Sequence, residues 1–575
     1  MNIQAARRWL NVSSFLGFAI WTVAWSIQLN ENIFLANAER IFFFGCSVVT
    51  PLALRLALQP DRNGQISRLY RVVIRFQPFT TIAAGIALLL DTGVTAAGFA
   101  AVWQVQTVLL ALIGLKRLLA RPFPAIEEIC VDVGLLYVSI SGFWFVAYRA
   151  GIALLTFDPA FVLLTAVHFT FISLGALIII GMVGRQLFNT HVWGIYRRVA
   201  WLAVISPLLV AIGISTSQFL GLLWVETGSV VVLASSFLVL TLLYVFNGVP
   251  KQRTVLTLLG VSSTALLTSM GFALAYSIGR LTNWWTLSLL VMVQWHGWLN
   301  AIGFTFCGLL AWNIANPETK STLPGIPFSQ LPWRWHIGPD FFQRIGAIEP
   351  ESSAAVTGII DRLQDYERDD FDPKNILPAI TEFYENTAAH ELMVYPHWQP
   401  YFGILGRLYK QVSKRIEQMN FPTHPDTDES RISSTIIPLK DALDGRDRVR
   451  GWVRVYTDIG QAVYVAAYAS HWHNQNQYMN IAFPLPLGNL TSILRLEMSK
   501  VSDGGVLLTS YSTRHGDQGV YFSSRVLAIR LPINETIRVY QPDTPTGNLH
   551  AEHKMWLFGV HFLTLEYIIA SVHEN

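Results

Sequence analysis

The chain carries little charge and little sulfur. Only 14% of its 575 residues are Asp, Glu, Lys or Arg, where a soluble domain carries about 25%. Its three cysteines, Cys46, Cys130 and Cys307, all lie in apolar stretches without CxxC spacing. That excludes a disulfide framework and a zinc knuckle. There is no GxGxxG or GKS phosphate loop and no HExxH run, so no motif points to nucleotide or zinc-protease chemistry. Outside the apolar half there is no basic domain, which argues against nucleic acid as a partner. What the chain has instead is 52% hydrophobic residues and a mean hydropathy of +0.39. Residues 1–313 hold 18 Lys/Arg against 9 Asp/Glu, and residues 314–575 hold 23 against 29. Two unlike modules are joined in one polypeptide.

A membrane span needs about 20 mostly apolar residues. Ten segments qualify: 10–29, 33–55, 72–91, 94–115, 128–148, 160–183, 199–216, 224–247, 255–277 and 285–310. The third is the weakest, because Arg75, Gln77 and Pro78 interrupt its start, so counts of eight and nine stay open. The first is too long for a cleaved signal peptide, and no small-residue cleavage site follows it. Numbering the loops alternately places fifteen Lys/Arg on one side and two, Arg149 and Arg280, on the other. Positive charge stays in the cytoplasm, so both termini are expected there, in a multi-pass protein of the cell (inner) membrane.

The expected fold is a polytopic α-helical membrane domain of about ten transmembrane helices over 1–313 and a linker over 314–339. A cytoplasmic α+β domain with an antiparallel sheet follows over 340–575. Asp372-Pro373 suggests a helix start, and 400–419 an amphipathic helix. From 432 onward short runs such as VRGWVRVY, QAVYVAAYAS and TIRVY alternate apolar and polar residues between Gly-rich turns. They read as six or more strands.

Two of the fourteen histidines fall inside spans, His168 and His296. At 1.5 Å per residue they lie roughly 12 and 16 Å from the outer ends of spans that run the same way, so they share a depth. Asn300 and Gly303 follow His296 at i+4 and i+7. Thr165 precedes His168 at i−3, and Gly175 follows at i+7. Each histidine therefore sits on a polar stripe beside a glycine that permits close helix approach. Glu39 and Arg40 lie near the outer side of span two. Arg149 closes span five near Trp144, while Glu128 and Asp132 lie one turn apart at its cytoplasmic side. Ionisable groups in spans mark substrate or proton sites unless they only tie helices together. The expected substrate-binding set is His168, His296, Asn300, Thr165, Glu39, Arg40, Trp144 and Arg149, with Glu128 and Asp132 as cytoplasmic-side polar residues. No cofactor is expected; haem or a metal between His168 and His296 is the alternative reading, and two histidines do not complete a zinc or iron shell.

In the second half, His471-Trp472-His473 has a metal-like look but reads better as a strand end. Ser512, His515 and Asp517 contain triad residue types within one turn, where a working triad draws on separate elements. Arg446, Arg448, Arg450 and Arg454 form a basic cluster that meets anionic headgroups or is a solvated strand edge.

Several runs resemble the YndJ-like family of bacterial membrane proteins. They are Glu39-Arg40-Ile41-Phe42, Asp132-Val133-Gly134-Leu135-Leu136-Tyr137, Gly142-Phe143-Trp144, Leu164-Thr165-Ala166-Val167-His168-Phe169 and His296-Gly297-Trp298-Leu299-Asn300-Ala301-Ile302-Gly303-Phe304. The likeness continues in Pro438-Leu439-Lys440-Asp441, Tyr478-Met479-Asn480 and Leu531-Pro532-Ile533. The family pattern has a second histidine two residues after the first, where this chain has Thr170. The resemblance implies a topology and no activity. Three functions fit: a transporter-like protein binding or moving a small or lipidic substrate, an intramembrane enzyme acting on a lipid or isoprenoid, and a membrane-anchored ligand-binding or regulatory protein. The bilayer is the one partner all three require, and the sequence leaves oligomeric state open.

Overall fold

In lipid every backbone polar group must pair within the segment, so long apolar runs become helices. The computed structural model describes residues 2–26, 32–60, 65–120, 125–247, 250, 252–319, 326–350, 356–421, 431–473, 475–499, 504–511, 516–524, 528–542 and 547–572. It divides into two units, Met1–Leu118 with Pro124–Leu323, and Leu119–Phe123 with Pro324–Asn575.

Among the described residues, ten long helices make up the first unit. They are α1 (Ile3–Trp25), α2 (Ile33–Ala57), α3 (Arg68–Leu89), α4 (Val94–Ala120), α5 (Ile126–Ala150), α6 (Pro159–Leu187), α7 (Trp193–Leu220), α8 (Leu223–Asn247), α9 (Arg253–Thr282) and α10 (Leu289–Ala315). Among the described residues, α2–α10 are long and apolar enough to cross a membrane. The even helix count returns the chain to the end of the bundle where it began, here called the terminal end; the opposite end is the far end. α1 is less apolar, but it exposes Val12, Phe15, Leu16 and Ile20 and buries a small-residue face. There a Cβ on Gly17 would lie 2.0 Å from the Ser47 carbonyl oxygen, so only glycine admits α2 that closely.

The expected weak point at Pro78 is a continuous helix. A proline at i frees the carbonyl at i−4, and the Trp9 indole donates to that carbonyl, on Ile74, at 3.0 Å. Pro207 in α7 is handled locally: the Ser206 hydroxyl donates to the Ala203 carbonyl at 3.2 Å. Three spans also widen into π-helical turns, at Gly45–Val49 in α2, Phe171–Leu177 in α6, and Met292–Gly297 with Leu299–Phe306 in α10. Such turns re-aim side chains and recur at functional sites.

Among the described residues, the second unit is built on twelve antiparallel strands. They are β1 (His390–Trp398), β2 (Arg431–Pro438), β3 (Arg450–Tyr456), β4 (Ala462–His473), β5 (Asn476–Leu485), β6 (Gly488–Met498), β7 (Val506–Thr509), β8 (Gly519–Ser523), β9 (Ala528–Arg530), β10 (Ile533–Tyr540), β11 (Leu549–Leu557) and β12 (Val560–Ser571). The order β5-β4-β3-β2-β1-β12-β11-β10-β7-β6 closes through a β5–β6 pairing. The sheet is therefore a ten-stranded barrel, with β8 and β9 continuing from β6. Closure leaves the ring without a free edge. Alternate residues of each strand point inward: Trp452, Tyr456, Ile481, Leu494, Leu565 and Tyr567 belong to one buried core with Ile380, Phe383 and Tyr384 of helix α11 (Pro378–Glu385). A second helix, α12 (Gly403–Ile416), falls in the expected place. Residues 326–337 lie along the barrel: Ile326 packs on Tyr478 and Tyr521, and Ser329 donates to Asp444 at 2.6 Å.

Candidate functional site in the helical bundle

His168 and His296 are brought together. Their ring centroids lie 6.3 Å apart with the planes 35° from parallel, and both line one cavity of about 260 Å³. Its walls come mainly from α6, α8, α9 and α10, with Ala38 and Ile41 of α2 and Val210 and Ile214 of α7 completing them. Close packing sets this arrangement. A Cβ on Gly175 of α6 would lie 2.7 Å from the Thr305 hydroxyl of α10, and one on Gly303 of α10 would lie 2.5 Å from Ala265 Cβ of α9.

The hydrogen bonds define the imidazoles. Nδ1 of His168 lies 2.7 Å from the Leu164 carbonyl, and Nδ1 of His296 lies 2.8 Å from the Ser269 carbonyl. A carbonyl only accepts, so each Nδ1 carries the proton and, in a neutral ring, each Nε2 keeps an accepting lone pair. Asn300 is fixed beside His296. Its amide donates to the His296 carbonyl at 2.9 Å and reaches 3.4 Å from His296 Nε2, while the Ser269 hydroxyl donates to its Oδ1 at 3.0 Å. Thr165 also lines the cavity and donates to the Phe161 carbonyl at 2.8 Å. Thr170, at the position of the family's second histidine, points elsewhere. It is buried against Ser141 at 2.6 Å and under Gly45, as two residues further along a helix dictates.

The cavity runs to the far end of the bundle, where Glu226 of α8 and Arg280 of α9 line it. Arg280 Nη1 donates to both Glu226 oxygens, at 2.7 and 3.0 Å. This pair was not anticipated from sequence. The signal was present, since Glu226 opens span eight and Arg280 closes span nine at the same end, but Arg280 reads there as a loop charge.

The other expected binding residues do not reach this cavity. Glu39 and Arg40 turn to different partners. Glu39 is fully buried and accepts from the Tyr148 hydroxyl at 2.8 Å, with Arg149 Nη1 at 3.5 Å. Arg149 also donates to the Leu90 carbonyl. Gly151, at φ 72°, ends α5 in a left-handed cap just after it. Arg40 stacks on Trp25, 4.7 Å from the ring centroid. Trp144 packs on Phe157 at 6.2 Å rather than on Arg149. These four residues have structural partners, and none lines the cavity.

Glu128 and Asp132, expected as cytoplasmic-side polar residues, are completely buried near the terminal end of α5. Glu128 accepts from Arg117 at 2.9 Å, from Arg185 at 2.7 and 3.0 Å, from Gln59 at 2.9 Å and from Thr319 at 3.1 Å. Asp132 pairs with Arg117. Arg117 and Arg185 counted toward the cytoplasmic charge excess, yet both are buried ion-pair partners.

In the second unit, His471 and His473 share one carboxylate, Asp517, at 3.1 and 2.8 Å. That gives the His-Trp-His run a hydrogen-bonding role at a strand end. Ser512 and His515 lie outside the described residues. The four arginines do not form a patch: Arg446 pairs with Asp444, Arg448 and Arg450 pair with Asp361, and Arg454 turns into the barrel. Among the described residues no group of three or more His, Cys, Asp or Glu is placed to hold a metal ion.

A family model described as YndJ-like protein matches residues 40–304, the stretch from α2 into α10. The Uncharacterized membrane protein YndJ of Bacillus subtilis (strain 168) is 32% identical over 504 residues, covering 87% of this chain and 88% of the relative. A match of that length extends past the bundle into the barrel. No solved structure matches. The chain, a membrane protein with several spanning helices, belongs to the YndJ-like family.

Proposed function

We propose that the protein is transporter-like and binds a small or lipidic substrate in the far-end cavity of the bundle. His168, His296, Asn300 and Thr165 form its polar floor, and Glu226 with Arg280 stands at its mouth. One observation carries this reading: two imidazoles from different spans face one apolar chamber with their Nδ1 protons already committed to carbonyls. Pockets for small molecules are mostly apolar, with a few fixed polar groups that orient the ligand. The lone pair on His168 Nε2 suits a hydroxyl or amine proton on an otherwise apolar substrate, and the same nitrogen can take up a proton moving with it. The even helix count and the Lys/Arg distribution favour cytoplasmic termini, with the cavity mouth toward the outside.

The reading predicts access from the far side. In Thr165→Cys, a membrane-impermeant maleimide added outside intact cells labels the introduced thiol, more slowly than in Trp284→Cys, whose position in the far-end loop is exposed. Cys46 and Cys130 are fully buried, and the half-buried Cys307 is replaced by Ser in both variants to remove background. Labelling of Trp284→Cys with complete protection of Thr165→Cys contradicts an outward-opening chamber.

A further inference from the structure

The barrel holds a second cavity, of about 80 Å³, independent of the bundle site. Its lining is apolar, with Met479, Ile481, Leu508, Val539 and Ile569 among the walls. One side chain there is out of keeping. Arg454 lines the cavity, is 7% exposed, and has no hydrogen-bond partner at Nε. Its guanidinium is stacked between Trp452 and Tyr464, 4.2 and 4.1 Å from the ring centroids, and touches the Tyr567 hydroxyl. None of those groups is an anion. Among the described residues no carboxylate pairs with Arg454. The lumen's own carboxylate, Glu535, is engaged by His553 Nε2 at 2.8 Å and by the Ser492 hydroxyl. Burial alone pushes that carboxyl up, but the His553 and Ser492 contacts outweigh it and leave Glu535 below its ordinary value, so it stays charged.

A buried cation with no carboxylate in direct contact is unfavourable even where a charged one, here Glu535, lines the same lumen. Aromatic stacking offsets part of this, but leaves the in-plane N–H donors of a fork that suits a carboxylate. We propose that the barrel lumen binds a small apolar monocarboxylate, its head on Arg454 and Tyr567 and its chain against the aliphatic wall. The volume sets the size. A cavity of roughly 150 Å³ admits the six carbons of benzene, so this lumen, at about 80 Å³, takes an acid smaller than hexanoate.

Equilibrium dialysis of the detergent-solubilised full chain against labelled butyrate, hexanoate, octanoate and palmitate tests the assignment. One short acid binds at one per chain, hexanol does not compete, and inorganic phosphate competes only at large excess. Arg454→Lys keeps part of the affinity, Arg454→Met weakens binding at least about tenfold, as loss of a charge-assisted bond requires, and His296→Leu leaves it unchanged. Ala551→Phe, which fills the lumen from another wall, abolishes binding with Arg454 intact. Absence of saturable binding by any acid, equal binding by Arg454→Met, or competition by phosphate at the acid's own concentration overturns the proposal.

Discussion

Replacing Glu128 with Ala is expected to remove most of the folded protein from the membrane. Among the described residues, the substitution leaves Arg185 with the Leu56 carbonyl at 3.3 Å and Met182 sulfur at 3.5 Å, and leaves Arg117 with Asp132 as its carboxylate partner. Breaking a buried pair by deleting one partner costs about 3–5 kcal/mol, because the remaining charge stays desolvated. Two arginines lean on Glu128, and a domain has only about 5–15 kcal/mol in all. Thermal unfolding in detergent checks this, with tryptophan emission as the signal. The double variant Glu128→Gln with Arg185→Met should recover much of the loss, since it removes charge from both partners; the two effects should be far from additive. Strictly additive effects would show that the two residues do not act as a pair.

The second large effect is predicted for truncation after Leu557, which deletes β12. That strand pairs along its length with β1 and with β11, so its loss opens the barrel and exposes two long edges. It also removes Leu563, Leu565, Tyr567 and Ile569 from the core, each at most 6% exposed. At about 1.5–3 kcal/mol per buried side chain, the loss rivals the stability of a whole domain. Limited proteolysis should digest the second unit of the truncated chain rapidly while the bundle resists. A protease-resistant second unit would mean that closure by β12 contributes little. Unpaired edges also invite aggregation, which size-exclusion chromatography would register.

How much of this was legible in the sequence follows from how local each constraint is. The spans were, because a bilayer imposes a run of apolar residues at each crossing. The depth of His168 and His296 was, because helical rise is constant. Pro78 misled, since the donor that rescues its helix is Trp9, on another span. The Glu226–Arg280 pair and the Arg149–Glu39 pair arise from which helices become neighbours, and no periodicity reports that. Strands β3, β4 and β10 showed their alternation plainly. β1 alternates as well, with Leu392 and Val394 inward, but it is a single run directly after a helical stretch, far in sequence from the strands that begin at 431. The β1–β12 pairing joins His390 to Ser571 across the whole module, so the expected antiparallel sheet is present and the alternation could not report that it closes into a barrel. The arginine cluster illustrates the same limit: four charges within nine residues look like a patch, yet Arg446 and Arg454 are buried in different surroundings.

Binding in the bundle chamber is most directly tested by native mass spectrometry of the purified full chain beside the double variant His168→Leu, His296→Leu. The substitutions keep the volume apolar and remove both ring lone pairs, leaving the Glu226–Arg280 pair and the Glu128 network untouched. A discrete molecule retained at one per chain by the wild type, and absent from a variant of equal thermal stability, is the predicted result. The same adducts at the same occupancy in both proteins would contradict the chamber as a binding site.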